Sequence, residues 1–153
     1  MTQDIIFPSE VAEITLSYCP SLPKNCAKIT NSTDAEQVFR CKWDTGRIGF
    51  VEEFKIVLLN RSNNVLGLVT ISQGGIAGTI ADPKLIFASA LKASASSIVA
   101  AHNHPSGNLK PSQADIQLTR KMKEAGKFLD LPLLDHLILT QDSYFSFADE
   151  GIL

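Results

Sequence analysis

Apolar residues along this chain fall into short runs separated by turn residues, a pattern typical of alternating strands and helices. The alternation over 11–18 (VAEITLSY) predicts a strand, and the apolar runs at 54–60 (FKIVLLN) and 65–72 (VLGLVTIS) predict two more. The turn sequence at 61–64 (RSNN) predicts that the last two form a hairpin. Three further short strands are predicted over 96–104, 136–140 and 144–147.

Two helices are predicted from their start signals in the first two thirds of the chain. Thr33 and Glu36 stand three apart, as in a capping box, and predict a short helix over about 34–43. Asp82 followed by Pro83 offers an N-cap carboxylate with proline at the first helical position. The apolar, alanine-rich sequence that follows predicts a largely buried helix.

A third helix is predicted to begin after Ser112 and to run to about Lys127, ended by Gly126 and Pro132. It lies between two predicted strands and is long enough to serve as a crossover connection. The order of strands and helices, with hairpins and one crossover helix, predicts a three-layer α/β domain around a mixed sheet.

Composition limits the class of protein. The 153 residues suit one core, and 44% hydrophobic with 20% charged residues is ordinary for a globular protein. The net charge of -2 argues against strong electrostatic binding to nucleic acid. The apolar runs are shorter than a membrane span, the first ten residues carry no secretion signal, and three cysteines match no CxxC pattern. We therefore expect a reduced, cytoplasmic protein.

The run HNHPSG at 102–107, followed by PSQAD at 111–115, is the strongest chemical signal. His102 and His104 stand at alternate positions of an extended segment, so both side chains face one side and can bind one ion. Asp115 at the start of the next helix would complete a set of three ligands and leave a fourth position open, as in a catalytic zinc site. Ser112 and Asp115 alone would form only a capping box, and isolated histidines are often core residues, but their combination favours a metal site.

Such a site also needs a carboxylate that is not a ligand, to accept a proton from water and pass it to the leaving amine. Glu52 and Glu53 lie at the mouth of the strand at 54–60, and successive strand residues face opposite sides, so one of them can face the metal. The pattern alone does not choose between them. The Ser112 hydroxyl can donate to a developing oxyanion.

A glutamate, then HxHP, then Ser-x-x-Asp resembles the JAB/JAMM metalloprotease motif. The longer string HNHPSGNLKPSQAD, with LLDHLIL and the terminal SFADEGIL, is similar to the RadC family over about 45–153. The resemblance implies a JAB-type fold with cytidine-deaminase-like layering. It implies zinc bound by His102, His104 and Asp115, and a general base two positions before a phenylalanine, which selects Glu52. It also implies that Ser112 supports the tetrahedral intermediate.

The implied function is zinc-dependent hydrolysis of a peptide or isopeptide bond in a protein or peptide substrate. A DNA-repair or recombination accessory that binds DNA or a repair partner is the alternative. Longer RadC members carry a helix-hairpin-helix-like module before the catalytic domain. Here we expect residues 1–44 to form a strand and helix extension that packs on a catalytic domain at 45–153. Two imidazoles and a carboxylate also suit iron or manganese.

Two further features are open to two interpretations, and a third has one expected role. Asp135-His136 matches a family pair, and His136 would either orient a ligand from behind or belong to a pair that fixes a turn. The cations of the third helix, with Lys110 just before it, form either a basic rim for an acidic partner or an exposed helix face: Arg120, Lys121, Lys123 and Lys127. Trp43, the single tryptophan, is expected to pack between the N-terminal segment and the domain.

Overall fold

A computed structural model describes residues 12–19, 26–74 and 81–153. The elements in chain order are α1 (Ser32–Lys42), β1 (Glu53–Leu59), β2 (Val65–Gln73), α2 (Pro83–Lys92), β3 (Ser97–Asn103), α3 (Gln113–Phe128), β4 (Leu133–Leu139) and β5 (Tyr144–Ser146). The strands form one sheet in the order β2-β1-β3-β4-β5. β3 and β4 run parallel and the other neighbours antiparallel, so the predicted mixed sheet and the β1–β2 hairpin are confirmed.

Both faces of the sheet are apolar because each is covered by helices. Alternate residues of β1, such as Phe54 and Ile56, pack with buried residues of α2 and α3 on one face. The intervening Val57 and Leu59 pack with α1 on the other. The three-layer α/β architecture predicted from the sequence is therefore confirmed.

The α3 crossover positions the candidate site. A parallel connection must carry the chain from the carboxyl end of β3 back past the sheet before β4 begins. The loop after Asn103 therefore delivers the N-terminus of α3 to the edge of the sheet where β3 ends. Asp82 caps α2 through the N–H of Lys84, with Pro83 in the first turn, as predicted. No helix within the described segments has the length and apolar character that a membrane crossing demands.

The strand predicted over 11–18 is wrong for the residues that the structure describes. Residues 12–18 belong to no helix or strand, and the side chains of Ile14 and Leu16 are 87% and 92% exposed. An alternating pattern indicates which face of a strand would be buried, but it supplies no partner strand. The described sheet ends at β2 and β5, and neither edge pairs with this segment.

The predicted cap of α1 is displaced. Asn31, rather than Thr33, is the N-cap, and its side chain accepts from the N–H of Asp34 at 2.8 Å. Asp34 in turn accepts from Thr30, whose hydroxyl lies 2.6 Å away, and these hydrogen bonds lower its pKa. Thr33 instead contacts the Tyr144 hydroxyl at 3.1 Å. Several residues here can cap a helix, so their sequence spacing did not identify the one that does.

α3 ends within one residue of its predicted end, but the role of Gly126 and the start of β4 differ from the prediction. Gly126 lies inside α3, which continues to Phe128, and its missing side chain lets the Leu131 backbone approach the helix. β4 begins at Leu133, immediately after Pro132, because this segment pairs in parallel with β3.

Trp43 follows α1 and is buried in the core between α1 and the sheet, with the ring of Phe39 6.2 Å away. The Lys55 ammonium lies 4.8 Å from the Trp43 ring. α1 thus packs on the sheet, while the predicted division of the chain at 44/45 stays a prediction.

Candidate metal centre

Two imidazole nitrogens converge at the carboxyl end of β3. His102 is buried within the strand, and His104 follows the last strand residue and is half-buried. The backbone N–H of His104 still donates to Leu139 of β4, at 2.9 Å, so the extended conformation persists through this residue. The two side chains therefore lie on one face, as predicted, and their Nε2 atoms are 3.0 Å apart.

Asp115 lies beside both histidines at the N-terminus of α3. Its Oδ1 is 3.2 Å from Nε2 of His102, and its Oδ2 is 3.6 Å from Nε2 of His104. The same carboxylate accepts from the N–H of Ser112 at 2.7 Å, while Ser112 Oγ accepts from the N–H of Asp115 at 3.1 Å. Asp115 thus forms the capping box and lies beside the histidines at the same time, because the capping box fixes the rotamer in which its carboxylate faces the imidazoles.

Glu52, rather than Glu53, faces the histidines. Glu52, His102 and His104 each offer an atom within 4.8 Å of the others, a grouping that could hold a metal ion. Glu53 is 1% exposed and lies on the α1 side of the sheet, where it pairs with Arg47 at 2.9 Å and Lys55 at 3.0 Å. The choice that the sequence pattern left open is thus made by the backbone at the start of β1.

The donor set fits a metal ion of the zinc type. Two zinc-bound nitrogens with Zn–N near 2.0–2.1 Å lie about 3.3 Å apart in a tetrahedral site. Here the two Nε2 atoms are 3.0 Å apart, and Asp115 places one carboxylate oxygen 3.2 Å from Nε2 of His102 and the other 3.6 Å from Nε2 of His104. Two carboxylates, Asp115 and Glu52, thus lie beside one pair of imidazoles, so one of them can be a ligand and the other a proton carrier.

The pKa values of these two carboxyl groups are shifted in opposite directions. Burial raises the pKa of Glu52, although His102 and His104 oppose the shift. Burial also acts to raise the pKa of Asp115, but hydrogen bonds from His102, His104 and Ser112 outweigh it and hold that pKa well below its usual range. Asp115 therefore stays ionised, while Glu52 takes up a proton more readily than an ordinary glutamate.

The His104 ring is oriented from behind by the loop that follows it. Its Nδ1 lies 2.6 Å from the carbonyl oxygen of Asn108, which can only accept, so Nδ1 carries the proton. Nε2 then has its lone pair toward His102 and Asp115. In the charged ring Nε2 also carries a proton and donates it to Asp115, and this hydrogen bond, opposed by burial, raises the pKa of His104.

Sequence reasoning left the role of His136 open and missed Thr119. His136 is fully buried on β4, and its Nε2 lies 2.9 Å from Nδ1 of His102. Its Nδ1 lies 2.6 Å from the Thr119 hydroxyl, one turn after Asp115 on α3. The imidazole stacks on Phe147 at 4.8 Å and is tilted against Phe54 at 5.4 Å. Burial lowers the pKa of His136 far below its usual value, so the ring is neutral.

The partner of His136 in the predicted pair fixes a turn. One oxygen of Asp135 accepts from the N–H groups of His136 at 2.7 Å and Ala148 at 3.0 Å, and the other accepts from the Ser146 hydroxyl at 2.6 Å. Each interpretation of the pair thus describes one of its residues: His136 contacts His102 from behind, and Asp135 fixes a turn. The i, i+4 spacing of Asp115 and Thr119 on one helix was the sequence signal for the missed threonine.

Asn103, between the two histidines, was also missed. Its side chain is directed to the other face of β3 and is wholly buried. It accepts from the N–H of Glu53 at 2.7 Å and donates to the carbonyls of Ile48 at 2.7 Å and Val51 at 2.8 Å. These contacts fix the backbone on both sides of Glu52. A polar residue that follows Val99 and Ala101 on one strand face was the available signal.

The cations of α3 are all exposed, in keeping with an exposed helix face; a basic rim for a partner stays a prediction.

The residues of this centre all lie within the segment that known proteins share. A family model described as RadC-like JAB domain matches residues 29–152. The chain is 49% identical over 127 residues to a UPF0758 protein of Flavobacterium johnsoniae, covering 82% of this chain and 53% of that protein.

A UPF0758 protein of Porphyromonas gingivalis is 48% identical over 103 residues, 67% of this chain and 45% of that protein. One of Rubrobacter xylanophilus is 39% identical over 147 residues, 94% of this chain and 62% of that protein. The chain thus spans about half the length of the curated relatives it matches, and the names of those relatives state no reaction.

Proposed function

Because the chain belongs to the RadC-like JAB domain family, we propose that it is a zinc-dependent hydrolase that cleaves a peptide or isopeptide bond. The observation that carries the proposal is the convergence of two imidazole Nε2 atoms, 3.0 Å apart, on two carboxylates whose pKa values are shifted in opposite directions. The opposite pKa shifts of the two carboxylates match the two roles that the reaction needs, a permanently ionised ligand and a group that exchanges a proton.

In this proposal His102, His104 and Asp115 hold the metal. Asp115 suits a ligand because its capping box fixes the carboxylate and its lowered pKa keeps it ionised. A zinc ion held there would lower the pKa of a water molecule and polarise the carbonyl of the scissile bond. Iron or manganese would suit the same donors.

Glu52 acts as the proton carrier. Its half-buried carboxylate lies within 4.8 Å of the histidine nitrogens, and its raised pKa suits a group that accepts a proton from water and returns it to the leaving amine. Ser112 accepts from the N–H of Asp115 and so keeps its own proton for donation to the developing oxyanion.

Two measurements on the purified chain test the proposal. We expect elemental analysis to find about one zinc per chain in the native protein and its loss in Asp115→Ala, because that variant lacks a ligand. The zinc-loaded native protein and Glu52→Gln are then compared on a panel of peptides and isopeptide-linked substrates. Glu52→Gln should keep zinc and lose turnover. Equal behaviour of the two proteins on every substrate would overturn the assignment.

Absence of zinc from the native protein, even after zinc is supplied, would mean that the histidines and the capping box are structural. The DNA-associated alternative stays a prediction, and it requires binding to DNA that weakens with salt. A gel shift at low salt tests it on the same preparations. The net charge of -2 does not favour it.

A further inference from the structure

A chain of hydrogen bonds runs behind the metal centre from the backbone of Asp115 to the ring of His102. The Thr119 hydroxyl donates to the carbonyl of Asp115 at 2.7 Å. Thr119 Oγ1 also lies 2.6 Å from Nδ1 of His136, and Nε2 of His136 lies 2.9 Å from Nδ1 of His102. Thr119 and His136 are both buried, so water does not compete for these contacts.

The direction of each hydrogen bond follows from the single proton of the Thr119 hydroxyl. A carbonyl oxygen only accepts, so that proton is committed to Asp115. Thr119 Oγ1 must therefore accept from His136, which places a proton on Nδ1 of His136. The reverse direction would leave two oxygens with facing lone pairs only 2.7 Å apart.

The same reasoning assigns the position of the proton on the imidazole ring of His102. A charged His136 would be a buried cation whose ring nitrogens contact only a hydroxyl and another imidazole, which is costly. The neutral ring has its lone pair on Nε2, so His102 must donate to it from Nδ1. In the neutral ring of His102 the lone pair is then on Nε2, directed at His104 and Asp115.

We propose that Thr119 and His136 are positioning residues that hold His102 in the one tautomer able to bind a metal through Nε2. The hydrogen-bond chain also connects His102 on β3 to the backbone of Asp115 on α3, so one set of contacts positions two ligands from different elements. Phe147 stacks on the His136 ring, and Phe54 packs against it at a tilt. The inference rests on the metal-binding part of the proposed function.

Two variants break this chain of hydrogen bonds with little change in side-chain volume. Thr119→Val replaces the hydroxyl by a methyl group, and Thr119→Ser restores a hydroxyl as the matched control. His136→Phe removes both ring nitrogens and keeps an aromatic ring between Phe54 and Phe147. The exposed Gln117→Ala, on the same helix, controls for nonspecific effects.

Nitrogen NMR of the full chain labelled in histidine, with metal removed by a chelator and at an alkaline pH where imidazoles are neutral, reads the tautomers directly. We expect protonated Nδ1 and unprotonated Nε2 at both His102 and His136 in the native protein and in Thr119→Ser. In Thr119→Val the preference at His136 should be lost, and in His136→Phe that at His102 should be lost. Any other tautomer in the native protein overturns the inference.

Zinc affinity, measured by competition with a chromophoric chelator, gives the second readout. Loss of such an outer hydrogen bond weakens metal binding by about 10-fold to 100-fold, so we expect that loss in Thr119→Val and His136→Phe. Thr119→Ser and Gln117→Ala should bind as the native chain does. Native affinity in both Thr119→Val and His136→Phe would contradict the positioning role. If the native chain binds no zinc, the proposed function fails, while the NMR tautomers still decide whether this hydrogen-bond chain exists.

Discussion

The side-chain oxygen of Asn103 accepts a hydrogen bond from the backbone N–H of Glu53 at 2.7 Å, and its amide nitrogen donates to the carbonyl of Val51 at 2.8 Å. Glu52 is the residue between these two backbone groups. The two histidines of the site and the anchor of the candidate base thus occupy consecutive positions of one strand, on its opposite faces.

We predict that Asn103→Ala lowers the free energy of unfolding by about 2–4 kcal/mol, because it leaves a buried N–H and two buried carbonyls without partners. Urea denaturation of this variant measures the loss, with Gln117→Ala as an exposed control. Asn103→Asp keeps the acceptor for Glu53 but loses both donors and buries a carboxylate oxygen against the carbonyls of Ile48 and Val51, so it should lose at least as much as Asn103→Ala. A loss as small as that of the control would mean that this amide does not fix the loop.

Substitutions of the neighbouring Glu52 and Glu53 should differ in their effects on the free energy of unfolding. Glu53→Gln removes the charge that pairs with the buried Lys55 and with Arg47, and an unpaired buried cation costs about 3 kcal/mol. Glu52→Gln should change the free energy of unfolding far less, because Glu52 is half-buried and no lysine or arginine in the described part of the chain forms a salt bridge with it. Urea denaturation of both variants tests this. Equal losses would contradict the placement of the two side chains on opposite sides.

Ser112 has two roles that can be separated by substitution. Ser112→Ala removes the N-cap of α3 and should cost about 1 kcal/mol, whereas Ser112→Asn keeps an acceptor for the N–H of Asp115. Both variants remove the hydroxyl, so under the proposed function both should lose turnover by about 100-fold. Paired measurement of urea denaturation and hydrolysis tells the roles apart. Full turnover in Ser112→Asn would reduce Ser112 to a cap.

Asp135 should make the protein less stable as pH rises. Burial raises its pKa, despite hydrogen bonds from Ser146, Ala148 and His136. The folded state then binds more protons than the unfolded state above the ordinary pKa of about 3.9, so the stabilising contribution is present below that value and is lost as pH rises through the raised pKa. In Asp135→Asn, which retains an acceptor for both N–H groups, this slope should be absent. Urea midpoints of both proteins across that pH range test it; parallel curves would contradict the raised pKa.

Much of the sheet and the outline of the site could be predicted from the sequence because their signals are local. A buried strand shows as a run such as FKIVLLN, and the same-face relation of His102 and His104 follows from strand geometry alone. Asp115 could be placed because a capping box marks where a helix begins.

Contacts between distant segments could not be predicted in the same way. The alternation at 11–18 gave no information about a pairing partner, and the structure shows none for the described residues there. The contact of Thr119 with His136 and that of Asn103 with Glu53 bring together residues 17 and 50 positions apart. Each depends on how α3 and β1 dock on β3, which hydrophobic periodicity does not specify.

Gly126 sets how closely α3 approaches the segment before β4. A Cβ at this position would lie 2.4 Å from the carbonyl oxygen of Leu131, which is backbone and has little freedom to move. Alanine is preferred over glycine in a helix by about 1 kcal/mol, but relief of such a clash costs about 1–3 kcal/mol, so we predict net destabilisation in Gly126→Ala. Gly67→Ala in β2 is the matched control, since its Cβ would meet nothing within 4 Å. Urea denaturation should show a loss for Gly126→Ala and none for Gly67→Ala. Equal stability of the two variants would mean that relief of the clash with Leu131 costs no more than the helix preference of alanine offsets, and would contradict the prediction.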